Sequence, residues 1–112
     1  MEKSMNDVWR QLYDTVKARQ TQPVENSYTC YLFEQGLDKI LKKVGEEAAE
    51  VIIAAKNGYD VSLTGELADL IYHLTVLMVE CELPPEALTD ELARRADKIG
   101  NKKTETKSDH NT

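Results

Sequence analysis

The chain has no excess of positive charge: 14 lysines and arginines stand against 20 aspartates and glutamates, a net charge of −6 over 112 residues. That sign argues against any partner whose affinity rests on neutralising nucleic-acid phosphates, so duplex DNA and RNA are not expected ligands. Cysteine is scarce. Cys30 and Cys81 lie far apart with no Cys-x-x-Cys spacing, which speaks against a zinc or redox motif and reads both as reduced, buried, small hydrophobes. Only two histidines are present, His73 and His110, the second in the polar C-terminal stretch; a zinc or copper centre would draw on more imidazole or thiolate. No apolar run approaches bilayer length, and the N-terminal MEKSMNDVWRQLYDTVKARQ lacks a continuous apolar core. Neither a membrane span nor a secretion leader is therefore expected, and a cytoplasmic location follows. No window shows the strict apolar and polar alternation of a half-buried strand.

What the chain does have is helical periodicity. Met5, Val8, Trp9, Leu12 and Val16 recur at steps of three and four, predicting a helix over 4–19 with Ser4 as its N-cap. TQPVENS reads as a loop, and Ser27 can cap a short helix, YTCYLFEQ, ended by Gly36. From Leu37 to Lys56, Ile40, Leu41, Val44, Ala48, Val51, Ile52 and Ala55 mark one apolar face, with Asn57-Gly58 as the stop. Gly45 inside this helix costs about 1 kcal/mol relative to alanine, which points to close packing by a neighbouring backbone, or to a ligand. Asp60 or Ser62 can cap a third long helix carrying Leu63, Leu67, Leu70, Ile71, Leu74, Leu77, Met78 and Cys81, a stripe broad enough to lie at the centre. Pro84-Pro85 separates it from a last helix through Leu88, Leu92, Ala96 and Ile99.

The expected fold is all-α: a bundle of four to five helices forming one domain over 1–100, with 101–112 as a polar, mobile tail. A core of this size leaves part of its helices' apolar surface uncovered, so pairing with a second copy is expected.

Chemistry concentrates in two acidic clusters. On a helical wheel Lys39, Lys43, Glu46, Glu47 and Glu50 share one side of the second long helix, and Glu47 and Glu50 stand one step apart. Glu66 and Asp69 repeat that step on the next helix, with His73 four residues on along the same face. If the two helices pack antiparallel, E-x-x-E faces E-x-x-D, and four carboxylates can meet at one hard cation, Mg²⁺ or Mn²⁺. Solvated acidic faces are also common on helices. Here, however, the lysines mostly precede the glutamates, the weaker order for helix stabilisation, and Glu46 and Glu47 crowd like charge beside Glu50. His73 reads as a hydrogen-bonded residue behind the ligands. Tyr28, Tyr31 and Tyr72 can stack on a base or simply pack, and Arg94 and Arg95 can be solvated or bind phosphate.

The run SYTCYLFEQGLDKILKKVGEEAAEVIIAAKNG followed by ELADLIYHLTVLM resembles the phosphoribosyl-ATP pyrophosphohydrolases of histidine biosynthesis, over residues 9–100. This family sits within the all-α, MazG-like nucleotide pyrophosphohydrolases, whose shared E-x-x-E and E-x-x-D pattern binds magnesium. The resemblance implies that Glu47, Glu50, Glu66 and Asp69 are the metal ligands, that the active form is a homodimer, and that the reaction is hydrolysis of phosphoribosyl-ATP between the α and β phosphates. Glu46 is then the candidate general base by position. Lys39 and Lys43 are candidate phosphate contacts, with Lys42 a weaker one. Ser27, Tyr28 and Thr29 match the family's SYT segment, where hydroxyls and helix-start amides can hold a phosphate. Two competing readings remain open: a house-cleaning pyrophosphatase acting on a non-standard nucleoside triphosphate through the same carboxylates, and a non-catalytic helical interaction module.

Overall fold

A computed structural model describes residues 4–58 and 61–100. It contains five helices: α1 (Met5–Thr21), α2 (Tyr28–Gln35), α3 (Leu37–Lys56), α4 (Val61–Glu80) and α5 (Pro85–Gly100), with no strand among the described residues. The all-α expectation holds. Asp60 and the segment 101–112, read above as a cap and a tail, lie outside the described residues.

Local chemistry sets the helix boundaries. The Ser4 hydroxyl accepts from the Asp7 amide at 3.1 Å, and Ser27 does the same for Cys30 at 3.1 Å, each satisfying an amide that the first turn leaves unpaired. Gly36 ends α2 and opens α3 at φ +92°, a left-handed conformation that a side chain would strain. Asn57 closes α3 by donating its backbone N–H to the Ile53 carbonyl at 3.1 Å, and Gly58 follows at φ +110°. Because α4 starts at Val61, Ser62 lies inside it rather than capping it. Pro85 opens α5, where its missing N–H costs nothing.

The core gathers Tyr13 and Val16 from α1, Leu32 from α2, Ile40 from α3, and Val76, Met78 and Val79 from α4. Leu32, Ile40 and Val76 are fully buried, and each such side chain contributes about 1.5–3 kcal/mol through lost water contact. Helix α4 packs against α1, α2 and α3, so the central position expected of it is observed. Thr75, also fully buried, accepts from the Trp9 indole at 3.0 Å and donates to the Ile71 carbonyl at 2.7 Å. Across the surface, Arg10 ties α1 to α5 through Glu86 at 2.9 Å.

Three expectations change. Cys81 is exposed, unlike the buried Cys30, because α4 stops at Glu80 and places residue 81 in the turn before the prolines. Among the described residues nothing from another element lies within 4 Å of where a Gly45 Cβ would stand, so no neighbouring backbone is seen to pack against it. The apolar face of α3 is only partly covered: Ile40 is buried, yet Leu41 and Ile52 are exposed, since α4 covers a narrower stripe than the sequence offers. The base of the α3–α4 pair is thus anchored in the core through Ile40 and Val76. The half carrying the acidic residues holds few buried side chains, Ala54 among them.

Candidate active site

Antiparallel packing of α3 on α4 brings the acidic clusters together. Carboxylate oxygens of Glu47, Glu66 and Asp69 all lie within 4.8 Å of one another. The helical step of three puts Glu66 and Asp69 on one side of α4, and Glu47 meets them from α3. Glu50 stands outside that close group and is exposed, but its charge reaches it. The Glu66 carboxyl is pushed up from the ordinary range first by desolvation, then by the negative charges of Glu50, Glu47 and Asp69. All four residues therefore share one electrostatic site, and three of them share one point.

Such an arrangement repels itself. Like charges this close raise the cost of ionising each carboxyl, and a hard divalent cation coordinated by oxygen relieves it. The donor set fits Mg²⁺ or Mn²⁺: three carboxylates converge, a fourth stands near, and no thiol or imidazole belongs to the group.

Glu46 is placed differently. Its Oε1 pairs with the Lys43 ammonium at 3.2 Å, a half-exposed contact one turn below Glu47. The pairing raises the Lys43 pKa, chiefly through that hydrogen bond, with Tyr28, Glu46 and Glu47 adding to it electrostatically. Lys43 is therefore bound to a neighbour but within the field of the site. Lys39 lies one turn further back, its ammonium 5.7 Å from the centre of the Tyr31 ring.

The start of α2 is stitched to α4 beside this cluster. His73, 5% exposed, bonds the Asp69 backbone carbonyl through Nδ1 at 2.8 Å and the Tyr28 hydroxyl through Nε2 at 3.0 Å. A carbonyl can only accept, so Nδ1 carries a hydrogen and donates it, while Nε2 is engaged by the Tyr28 hydroxyl. Neither nitrogen is left to bind an ion. Thr29 bonds the Tyr72 hydroxyl, and the Ser27 hydroxyl caps α2. Each hydroxyl of the SYT segment thus already has a partner within the chain, and the segment fastens α2 to α4 behind Asp69.

Tyr31, Tyr28 and Tyr72 form a row, with ring centres 6.1 Å and 6.3 Å apart and planes inclined by 27° and 30°. Their hydroxyl partners were not foreseeable from spacing along one chain, since residues 28 and 29 meet 73 and 72 only when the helices cross. Arg94 and Arg95 both pair with Glu91 on the exposed side of α5, and Lys42 is exposed.

Against known proteins, the family model for phosphoribosyl-ATP pyrophosphohydrolase matches residues 9–96. A phosphoribosyl-ATP pyrophosphatase from Clostridium botulinum is 52% identical over 103 residues, covering 92% of this chain and 94% of its own. One from Pelotomaculum thermopropionicum is 56% identical over 92 residues, covering 82% and 94%. A bifunctional histidine-biosynthesis protein from Caldanaerobacter subterraneus is 53% identical over 89 residues, covering 80% of this chain but 43% of that longer protein. With the carboxylates of α3 and α4 converging as its residues predict, this chain belongs to the phosphoribosyl-ATP pyrophosphohydrolase family.

Proposed function

We propose that the chain hydrolyses phosphoribosyl-ATP to phosphoribosyl-AMP and pyrophosphate in histidine biosynthesis, using Mg²⁺, or Mn²⁺, held by Glu47, Glu66 and Asp69 with Glu50 as a fourth ligand. The observation that carries this reading is the meeting of three carboxylates within 4.8 Å in a chain of this family. When bound, the cation supplies charge neutralisation for the departing pyrophosphate and activates a water.

The protein's own groups do the rest. Asp69 is held from behind, since His73 grips its carbonyl and Tyr28 grips His73, which fixes the backbone from which the carboxylate projects. Glu46 is the proposed acceptor for the water's proton, with Lys43 bonded to its Oε1 at 3.2 Å fixing where that carboxylate points. Lys43 and Lys39 offer positive charge to the phosphates from successive turns of α3.

The working form is a homodimer in the cytoplasm. Ile52 at 64% exposure, Ile53 at 53% and Leu67 at 42% leave the outer half of the α3–α4 pair uncovered, a surface that a second copy would bury. None of the described helices is long and apolar enough to cross a membrane.

Pyrophosphate release from phosphoribosyl-ATP, measured with Mg²⁺ and with chelator, tests substrate and metal together. Turnover is expected with the metal and is lost without it. Asp69→Asn should lower the rate at least a hundredfold with the helical circular dichroism retained. Faster hydrolysis of dUTP or dCTP than of phosphoribosyl-ATP in the same assay would transfer the assignment to the house-cleaning class. Magnesium-independent release would remove the metal.

A further inference from the structure

The carboxylates account for one end of a nucleotide, and a distinct surface continues from them. Successive turns along one face of α3 carry Glu47, Lys43 and Lys39, all half-buried. At 1.5 Å per residue, Lys39 stands about 12 Å along the axis from Glu47. Beside that stretch, α2 lays down two tyrosine rings, Tyr28 at 45% exposure and Tyr31 at 40%, with centres 6.1 Å apart and planes inclined by 27°. The Tyr28 hydroxyl is spent on buried His73, so what this residue offers a ligand is its ring. Along α3 the order from the acidic end is Glu47, Lys43, then Lys39, whose ammonium stands 5.7 Å from the centre of the Tyr31 ring, with the Tyr28 ring next to Tyr31.

Exposed aromatic rings in a small helical chain cost solubility unless something stacks on them, and bases stack well on tyrosine. The proposed substrate has a matching order: polyphosphate, ribose, adenine, then a second ribose on N1 with its own phosphate. Substitution at N1 also favours a positively charged purine, which an aromatic face attracts more than a neutral one. ATP has neither the far phosphate nor the N1 substituent.

Resting on the function proposed above, we infer that Tyr28, Tyr31 and Lys39 form the subsite for the N1-phosphoribosyl-adenine half of the substrate. The purine lies against the tyrosine rings and the far phosphate meets the Lys39 ammonium. This subsite separates the substrate from ATP.

The test compares wild type, Tyr31→Ala, Lys39→Met and Lys39→Arg in steady-state hydrolysis of phosphoribosyl-ATP, with phosphoribosyl-AMP and AMP as competing inhibitors. Circular dichroism and thermal unfolding check each fold. Methionine keeps an unbranched side chain of similar length at residue 39 and removes the charge. Lys39→Met should raise KM for phosphoribosyl-ATP about tenfold, with kcat falling less than threefold, and should weaken inhibition by phosphoribosyl-AMP far more than by AMP. Lys39→Arg should restore most of that loss. Tyr31→Ala should weaken both inhibitors, about tenfold each, since the base is common to both. Unchanged KM and inhibition in Lys39→Met, equal weakening of the two inhibitors in that variant, or a fall in kcat at constant KM would each overturn the assignment. A wild-type protein that releases no pyrophosphate from phosphoribosyl-ATP would instead sink the functional reading beneath it, an outcome read before any variant is compared.

Discussion

Glu66 is the residue on which the site's physics is easiest to read. Desolvation and then three neighbouring carboxylates, Glu50, Glu47 and Asp69, push its carboxyl up from the ordinary range. A group raised in this way weakens the fold as pH climbs from its unfolded value through its folded one, because charge then appears where charge already is. At neutral pH and without metal the cluster is therefore a liability. Glu66→Gln should raise the melting temperature in chelator while abolishing the rise that Mg²⁺ gives the wild type. A ligand present at a hundred times its dissociation constant stabilises by about 2.7 kcal/mol, which thermal unfolding resolves readily. A variant whose melting temperature still climbs with Mg²⁺ would show that Glu66 does not hold the ion. The sequence disclosed Glu66 and its partners through a simple three-residue step. It did not disclose that Glu47 would join them more closely than Glu50, or that Glu46 would be taken up by Lys43, because side-chain direction across a helix pair is set by how the helices roll on each other.

Within α3, nothing from another element among the described residues lies within 4 Å of a would-be Cβ at Gly45. Alanine there should stabilise the protein by about 1 kcal/mol in urea unfolding, since it keeps the helical backbone and restricts the unfolded chain. Destabilisation instead would mean that a second subunit approaches this point. Helix α5 makes a different prediction. Arg94, then Arg95, hold the Glu91 carboxyl below its ordinary range. A depressed carboxylate contributes stability above its unfolded pKa, about 4.3, and loses it as pH falls through the folded value. Protection of the α5 amides, taken relative to the intrinsic exchange rate at each pH, should therefore fall on acidification below about pH 4.3, and Glu91→Gln should remove that pH dependence. The pairs are solvent-exposed, so the effect is small. Boundaries at this scale were legible because capping is local: Ser4, Ser27, Gly36 and Pro85 act on their own turns.

For the whole molecule the telling feature is apolar surface left over on α3 and α4. Ile52, Ile53 and Leu67 stay exposed in the single chain, beside the acidic site rather than remote from it. If a second copy covers this face as proposed, Ile52→Asp should shift the protein toward monomer in sedimentation velocity, with little loss of helix, because the side chain contacts solvent and not the core. A dimer that persists unchanged would place the interface elsewhere, for instance over the apolar cleft of about 200 Å³ lined by Trp9, Ile71, Leu74 and Leu88 among others. The sequence by itself determined the helices, most of their ends, the centrality of α4 and the acidic residue types, because periodicity and capping are properties of neighbours along the chain. Only the tertiary structure decided which carboxylates share a point, that His73 grips the Asp69 backbone rather than an ion, and that tyrosines from α2 line up beside the α3 lysines. Those facts depend on where two rigid helices cross, and a crossing is fixed by the packing of distant residues such as Leu32, Ile40 and Val76.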